Sequence, residues 1–400
     1  MKPRSISFGD LRIGPTARKY IDRALSKNWI SEGDNVAEFE SRFAEKFQWK
    51  HAISTSSGTD AGIVVWSAIR ELNPRIAPHS CLGSISNYRG FILTPACAFV
   101  STASCIFAAG LEPQFVDIDL ETLNINPKQI VEIVQRAKGV GHRIIGLQFV
   151  ATMGKPTPIG QIAAIADEHD LYLVSDSCEA HGARLLGGRQ YADHYADASI
   201  YSFYCAHLIV GGEGGMICTD DDDIAELCRS IKSHGRPTGQ NYFDFKRVGF
   251  NSKWNDLCAA IGLEGLEQFD DNFARRRELY AGMLVRLESL KDFLILYRDL
   301  PGEIVAPHAF PIVLRDPDAD AWVLYQHMTQ AGIQVKWLFK SLPTQHDAFK
   351  WMGHKLGEFP VAERVGRTGI HFGMHQYLSE NDLDYIAEVI EDGLKRYYKR

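Results

Sequence analysis

Short polar segments in the first half of the chain carry residue types that bind anions. One of them, residues 56–61 (SSGTDA), follows a predicted strand and begins a predicted helix. Glycine lets the backbone approach a ligand, and the free amides at a helix start, with the Thr59 hydroxyl, can bind a phosphate. An ordinary helix cap has a similar sequence, so this segment alone indicates either a cap or an anion site.

Two further segments place ionisable side chains after strands. In residues 173–182 (LVSDSCEAHG), Asp176 ends a predicted strand. A carboxylate there can keep a pyridine nitrogen protonated, which makes the ring an electron sink, or it can simply cap a loop. Residues 202–207 (SFYCAH) end in His207, which is suited to proton transfer but could also be structural. Phe99 also follows a strand. Its aromatic side chain indicates a core residue, unless a planar ring lies nearby on which it could stack.

The elements that must position these residues alternate between strand and helix. Predicted strands cover 51–55, 91–95, 114–118, 143–150, 171–176, 198–204 and 214–219, and predicted helices cover 61–72, 127–137, 159–168 and 223–232. This alternation predicts a mostly parallel sheet covered on both faces, with ligands at the carboxyl ends of its strands. A long helical region is predicted over 255–290.

A smaller C-terminal domain is predicted from residue 291. It contains strands at 293–297 and 310–314 and helices over 319–331 and 380–399. The predicted division is therefore a large domain over 1–290, including an N-terminal arm and the long helix, and a small domain over 291–400.

Composition favours a cytoplasmic enzyme or binding protein. The 400 residues are 45% hydrophobic and carry a net charge of −7, which argues against nucleic acid or an anionic membrane as the partner. The N-terminus has no apolar segment typical of a secretory signal, and no run of about 18 apolar residues could span a bilayer. The eight cysteines lie in apolar or helical runs without CxxC pairs, which predicts buried free thiols in a reducing compartment.

Taken in order, these segments resemble the DegT/DnrJ/EryC1/StrS family of pyridoxal-phosphate-dependent sugar-modifying enzymes. The similarity covers nearly the whole chain. It includes WISEG, SSGTDA, LTPACAFVST, PQFVDIDLETLNI, SDSCEAHGA, SFYCAHLIVGGEGGMICT, KSHGR, GFNSKWNDLCAAIGLEGL and FPVAER. The resemblance implies the type I aminotransferase fold, with a large mostly parallel α/β domain and a smaller C-terminal α/β domain. It also implies a homodimer with shared active sites.

The resemblance assigns roles around the cofactor phosphate. Gly58 and Thr59 would bind the phosphate, and Ser202 would add a hydroxyl. Asn251, in the segment GFN, matches the residue that reaches the phosphate from the partner subunit.

It also assigns roles around the pyridine ring. Phe99 would stack on the ring, and Asp176 would pair with the ring nitrogen. Glu179 stands where family aminotransferases usually carry glutamine, and it would lie near the ring hydroxyl.

His207 is the informative departure from the family pattern. Family aminotransferases carry a lysine there, which binds the cofactor covalently, and this chain has no lysine between Lys155 and Lys232. Imidazole cannot form a Schiff base, so the cofactor is expected to be held non-covalently. His207 can instead act as an acid–base group.

The lysine-to-histidine change marks the 3-dehydratase branch, represented by GDP-4-keto-6-deoxymannose 3-dehydratase. Lys253 stands where the aminotransferases show arginine, and His234 matches a histidine that faces the active site in that branch. Both are therefore expected near the substrate. A sister group holds an iron–sulfur cluster with a CxC pair, which this sequence lacks. No iron–sulfur cluster or other metal is expected.

The activity implied is removal of the C3 hydroxyl of a nucleotide-linked 4-keto-6-deoxyhexose. The pyridoxamine phosphate form would engage the C4 ketone, His207 would move a proton at the cofactor's C4′ carbon, and glutamate would regenerate the amine. Two alternatives remain. A nucleotide-sugar aminotransferase would make a 4-amino sugar, and a non-catalytic cofactor-binding homologue would lack turnover.

Two segments differ from the family pattern and could alter substrate choice. The insertion at 74–88 is longer than the usual linker, and 372–376 (FGMHQ) replaces a proline-containing segment.

Overall fold

The strand-forming runs of the sequence assemble into two main sheets in the computed structural model. It describes residues 4–73, 90–139, 142–185, 187–239 and 243–398, and the insertion at 74–88 lies outside them. The strands up to residue 219 are β1 (His51–Thr55), β2 (Gly90–Pro95), β3 (Glu112–Val116), β4 (Arg143–Val150), β5 (Tyr172–Asp176), β6 (Arg184–Leu185), β7 (Gln190–Tyr191), β8 (Ala198–Ser202) and β9 (Gly215–Thr219).

Seven of these strands form the larger sheet, in the order β1-β9-β8-β5-β4-β2-β3. All pairs from β8 to β3 are parallel, whereas β9 runs antiparallel to both β1 and β8. The carboxyl ends of β1, β5 and β8 therefore meet at one edge of the sheet. β6 and β7 form a separate two-stranded hairpin.

Helices cover both faces of this sheet, as the alternation predicted. In chain order, the α-helices of the described residues are α1 (Pro15–Ser26), α2 (Asp34–Phe47), α3 (Gly58–Leu72), α4 (Ser101–Ala108), α5 (Pro127–Gly139), α6 (Ile159–His169), α7 (Asp222–Lys232), α8 (Asp256–Glu267), α9 (Phe269–Leu287), α10 (Trp322–Gln330), α11 (Leu342–Gln345), α12 (Pro360–Thr368) and α13 (Glu380–Tyr398). One apolar core joins the sheet to α3, α4 and α7, and another joins it to α5 and α6. The strands are buried on both sides, as expected for a parallel sheet.

The smaller sheet is antiparallel and has four strands. They are β10 (Leu294–Leu296), β11 (Ala309–Leu314), β12 (Val335–Trp337) and β13 (Gly369–Gly373), in the order β10-β11-β13-β12. Its apolar face packs with α9, α10 and α13. The N-terminal segment also reaches this sheet, because Ile6 pairs with Ile333 and the Phe8 amide donates to Gln334 Oε1 at 2.8 Å. The domain boundary near residue 290 stays a prediction.

Several predicted elements end at different residues in the structure. The long helix over 255–290 was wrong as a single element: it divides at Gln268 into α8 and α9, because α8 packs on α1 and α2 whereas α9 packs on α13. The strand over 114–118 ends at Val116, since the Asp117 carboxylate turns to accept hydrogen bonds from Val361 and Ala362 at the start of α12.

The strand over 198–204 was also too long. β8 ends at Ser202, and the chain then turns so that the Tyr204 carbonyl accepts a hydrogen bond from the His207 amide.

Seven cysteines lie in the described ranges and all are free. Cys97, Cys105, Cys218 and Cys228 are buried and the other three are partly buried, in line with the prediction, while Cys81 lies outside the described residues. Within the same ranges, none of the helices combines the length and apolar character needed to cross a membrane.

Candidate active site

The turn between β1 and α3 and the end of β8 form a tight cradle. Ser57 caps α3 by accepting a hydrogen bond from the Asp60 amide at 3.1 Å, which leaves the first amides of the helix pointing outward. A β-carbon at Gly58 would lie 2.9 Å from Ser202 Cβ and 3.0 Å from Cys178 Sγ, so only glycine fits there. The structure thus brings Gly58, Thr59 and Ser202 together, and their role at a cofactor phosphate stays a prediction.

Asp176 lies at the end of β5 and is 6% exposed. Its Oδ2 accepts a hydrogen bond from the Thr102 hydroxyl at 2.9 Å, and its Oδ1 accepts one from the Cys178 amide at 3.3 Å. Burial raises its pKa, and no basic side chain among the described residues pairs with it. A buried carboxylate in this state is suited to a cationic donor such as a protonated pyridine nitrogen.

Glu179 is the second carboxyl of the site. Its Oε2 accepts a hydrogen bond from the Met153 amide at 2.7 Å, and its Oε1 lies 3.6 Å from His308 Nε2. Burial is the main cause that raises its pKa to about 7. Glu179 can therefore exchange a proton near neutral pH.

His207 lies in the turn after β8 and is 8% exposed. Its Nδ1 lies 3.3 Å from Nδ1 of His308, and the two ring centres are 4.9 Å apart. Burial holds the pKa of His207 well below its usual value, and the nearby His181, Arg276 and Lys336 act in the same direction. The ring is therefore neutral at physiological pH, which is the state that can accept a proton.

Phe99 follows β2 and is 58% exposed, with its ring edge-on to Phe339 at 6.1 Å. An exposed aromatic ring at this edge of the sheet is free to stack on a planar ligand.

The predicted residues after α7 form a separate group. Lys253 Nζ donates to Asn251 Oδ1 at 2.5 Å and lies 3.4 Å from His234 Nε2. The group adjoins the phosphate cradle, because the Ser56 amide donates to the Ser252 carbonyl at 2.8 Å. None of the contacts seen in the described ranges joins it to His207. The reach of Asn251 into a partner's site, and the substrate roles of Lys253 and His234, stay predictions.

Three residues of the site were not identified from the sequence: Arg276, His308 and Lys336. Arg276 on α9 is 1% exposed and donates to the carbonyls of His207 and Pro307 at 3.0 and 3.4 Å. His308 precedes β11, and Lys336 on β12 lies with its Nζ 3.8 Å from the centre of the Phe8 ring. Arg276 reaches the site from α9, and His308 and Lys336 reach it because the smaller sheet packs beside the larger one. No local sequence pattern around the three residues signals these contacts.

The residues present fit a pyridoxal phosphate cofactor. The turn at Gly58, which admits only glycine and lies at a helix start, suits the phosphate. The buried carboxyl of Asp176 suits the ring nitrogen, and the exposed ring of Phe99 suits the face of the cofactor ring.

Comparison with known proteins places the chain in a family. Residues 12–391 match the model of the DegT/DnrJ/EryC1/StrS aminotransferase family. GDP-perosamine synthase of Escherichia coli O157:H7 is 25% identical over 94% of both chains. A dTDP-4-dehydro-2,6-dideoxy-D-glucose 3-dehydratase of Saccharopolyspora spinosa is 26% identical over 91% of this chain and 81% of the relative.

Solved structures share the fold. A GDP-4-keto-6-deoxymannose 3-dehydratase with a trapped PLP–glutamate geminal diamine superposes with a TM-score of 0.82, at 23% identity over 96% of this chain and all of that one. The predicted fold class, a type I aminotransferase fold, and the predicted cofactor, pyridoxal or pyridoxamine phosphate, are thereby confirmed. The chain is a member of the DegT/DnrJ/EryC1/StrS aminotransferase family.

Proposed function

We propose that the protein removes the C3 hydroxyl from a nucleotide-linked 4-keto-6-deoxyhexose, using the pyridoxamine phosphate form of the cofactor and glutamate as amino donor. The observation that carries this proposal is His207, a neutral buried imidazole in the turn after β8. Family aminotransferases resembling this chain have a lysine at that position. An imidazole there moves protons but does not bind the cofactor covalently.

Each residue of the site has a task in this reaction. When bound, the cofactor supplies an amine for the C4 ketone of the sugar and a ring that takes up electrons. Gly58, Thr59 and Ser202 hold its phosphate. Asp176 keeps the ring nitrogen protonated, because a buried carboxylate is stabilised by a cation beside it.

His207 and Phe99 complete the site. His207 takes the proton from the cofactor's C4′ carbon and can return one to the departing C3 hydroxyl. Phe99 orients the ring by stacking on it. The seven cysteines among the described residues are free thiols, which supports an enzyme that acts in the reducing cytoplasm.

One observation favours a second candidate, a nucleotide-sugar aminotransferase. Lys336 reaches the same site from β12, and its charge acts on Glu179, His207 and His308. Burial lowers the pKa of Lys336, which increases the fraction of its reactive free amine. If Lys336 bonded the cofactor, the protein could transaminate without a lysine at 207.

A product assay separates the two candidates. Purified protein is incubated with pyridoxamine phosphate, glutamate and a panel of GDP- and dTDP-linked 4-keto-6-deoxyhexoses, and the sugars are examined by mass spectrometry. A 3-deoxy sugar is expected, and the His207→Asn variant should form it far more slowly than wild type. A 4-amino sugar without any deoxy product would establish the aminotransferase instead.

Borohydride reduction tests the covalent attachment directly. We expect no pyridoxyl group on the chain after reduction of the pyridoxal phosphate form. If a pyridoxyl-lysine peptide is recovered, the Lys336→Met variant shows whether Lys336 is its source, with Lys340→Met on the same segment as the matched control.

A further inference from the structure

We infer that Glu179, His308 and His207 form a proton relay that sets the tautomer of His207 and stores the proton that His207 accepts. The inference rests on the proposed role of His207 as a base. It assigns a positioning role to His308, and it gives Glu179 a task beyond contact with the cofactor.

The three side chains form a row with defined contacts. His207 Nδ1 and His308 Nδ1 are 3.3 Å apart, and His308 Nε2 lies 3.6 Å from Glu179 Oε1. The second distance is just longer than a hydrogen bond, as is common for catalytic contacts before a ligand binds. The other oxygen of Glu179 is held by the Met153 amide. Glu179 Oε1 is thus directed at His308.

Arg276 fixes the spacing of the two imidazoles. Its guanidinium donates to the carbonyl of His207 and to that of Pro307, the residue before His308. It is almost fully buried, and a further bond to Gln376 Oε1 at 3.0 Å holds it in place. A single buried side chain therefore connects the two backbone segments that carry the rings.

The row permits only two arrangements of its protons when both rings are neutral. If Glu179 is a carboxylate, it accepts from His308 Nε2–H. His308 Nδ1 then accepts from His207 Nδ1–H, which leaves a free lone pair on His207 Nε2. If Glu179 is protonated, it donates to His308 Nε2, both inner bonds reverse, and His207 carries its proton on Nε2.

The two arrangements differ by one proton, which makes the row a relay. A proton taken up at His207 Nε2 releases the Nδ1 proton to His308 Nδ1, and His308 releases its Nε2 proton to Glu179. No charge then remains on either ring. This matters because Arg276 and Lys336 disfavour an imidazolium at both histidines, so burial and these two cations hold the pKa of each ring well below its usual value. Glu179, with a pKa of about 7, is the group of the row that can hold the proton at neutral pH.

Other ionisable groups face the row and would modify its titration. They are His181 and Asp176 near β5, Arg276 on α9, Lys336 on β12 and His371 on β13. His181 and His371 are neutral, because burial lowers the pKa of each to about 3.

The tautomer can be read in the cofactor-free protein by nitrogen NMR with labelled histidine. The His207 signals are identified by their loss in His207→Asn. We expect a protonated Nδ1 and a free Nε2 above the titration of Glu179 at about pH 7, and the opposite assignment below it. In Glu179→Gln this reversal should disappear. A His207 tautomer that does not change between about pH 6 and 8 in the wild type would overturn the relay.

Kinetics give a second readout, in whichever reaction the product assay identifies. Glu179→Gln and His308→Gln should each slow turnover by about 10-fold or more, and each should lose the rise in rate with pH through about pH 7. His327→Gln is the matched control, because His327 lies on α10, paired with Asp392. Retention of the wild-type pH profile in both site variants would contradict the inference, whereas absence of a deoxy sugar would count only against the proposed function.

Discussion

Burial has opposite effects on the carboxyls and the imidazoles of this site. It raises the pKa of Asp176 and Glu179, and it lowers the pKa of His207 and His308. All four shifts favour the uncharged form of the side chain. The site therefore contains neutral bases and weak acids, and a cation bound beside Asp176 would favour the ionised form of that side chain.

The first prediction concerns His207. His207→Asn keeps a polar side chain but removes the titratable ring, so turnover should fall on the order of 10²–10⁴-fold. Cofactor affinity, measured by absorbance titration, should change little, because the phosphate and ring contacts come from other residues. The His327→Asn variant controls for the loss of a histidine. An unchanged rate in His207→Asn would show that another group transfers the proton at the C4′ carbon.

His207→Lys is the complementary change. We expect it to restore a covalent link to the cofactor, seen as a shift in cofactor absorbance and as a pyridoxyl-lysine peptide after borohydride reduction. Dehydration should be suppressed, since the cofactor is then bound to the chain. A variant that dehydrates at the wild-type rate would show that a free cofactor is not required.

The third prediction follows from the raised pKa of Glu179. The folded pKa of about 7 exceeds the ordinary value of 4.5, so the folded protein holds this proton more tightly than the unfolded chain. The contribution of Glu179 to stability is therefore largest at low pH and is lost as pH rises toward 7, by at most about 3 kcal/mol. Glu179→Gln should gain stability relative to wild type at about pH 8 but not at about pH 4.5. Urea denaturation of the cofactor-free protein at both pH values measures this, and an equal difference at both would contradict it.

At the level of elements, the antiparallel strand β9 supports the phosphate cradle. Gly215 begins β9 opposite Thr55 and Ser202. A β-carbon at Gly215 would lie 2.3 Å from the Ser57 carbonyl oxygen and 2.7 Å from the Gly58 nitrogen. Those are backbone atoms of the cradle, which cannot move without displacing the first turn of α3.

Gly215→Ala should therefore weaken cofactor binding. We expect at least a 10-fold rise in the dissociation constant of pyridoxal phosphate and a loss of stability of about 1–3 kcal/mol from overpacking. Gly160→Ala is the matched control. It adds a methyl group in α6 where nothing beyond the helix's own backbone and the adjacent residues lies within 4 Å, and it should leave cofactor binding unchanged. Normal cofactor affinity in Gly215→Ala would show that the first turn of α3 can move without weakening the phosphate site.

Strand positions were predictable from the sequence because most strands of the larger sheet are short runs rich in apolar residues and bounded by turn residues. The predicted strands over 51–55 and 143–150 have the observed bounds. The ends that were wrong depend on distant partners. Asp117 leaves its strand to bind α12, and the helical pattern over 255–290 continues through Gln268 although the two helices pack on different elements.

At the level of the whole molecule, the candidate site combines residues from both sheets. Asp176, Glu179 and His207 follow strands of the larger sheet, so the rule for parallel sheets predicted their proximity. Lys336 lies in the smaller sheet, and His308 directly precedes one of its strands. Their approach depends on how the sheets pack, which no local sequence pattern encodes.

The predicted homodimer can be tested through Asn251. We expect a particle of twice 44.8 kDa in sedimentation, and Asn251→Ala should lose cofactor more readily than wild type. If Asn251 serves the partner's site, co-refolded His207→Asn and Asn251→Ala chains form hybrids with one intact site. Such mixtures should regain activity that neither variant has alone. No gain on mixing, together with an active monomer, would place Asn251 in its own chain's site.

The strand order also has a consequence for how the chain folds during synthesis. Among the described residues, β1 lies at the edge of the sheet and has β9 as its one strand partner, so it cannot join the sheet until the ribosome has produced residues up to Thr219. The cradle after β1 closes against Ser202 and Gly215, which are also synthesised long after β1. Contacts this distant in sequence form slowly, because a long loop must close first. We therefore expect a nascent chain released before β9 to have no affinity for pyridoxal phosphate, although most strands of the larger sheet are already present.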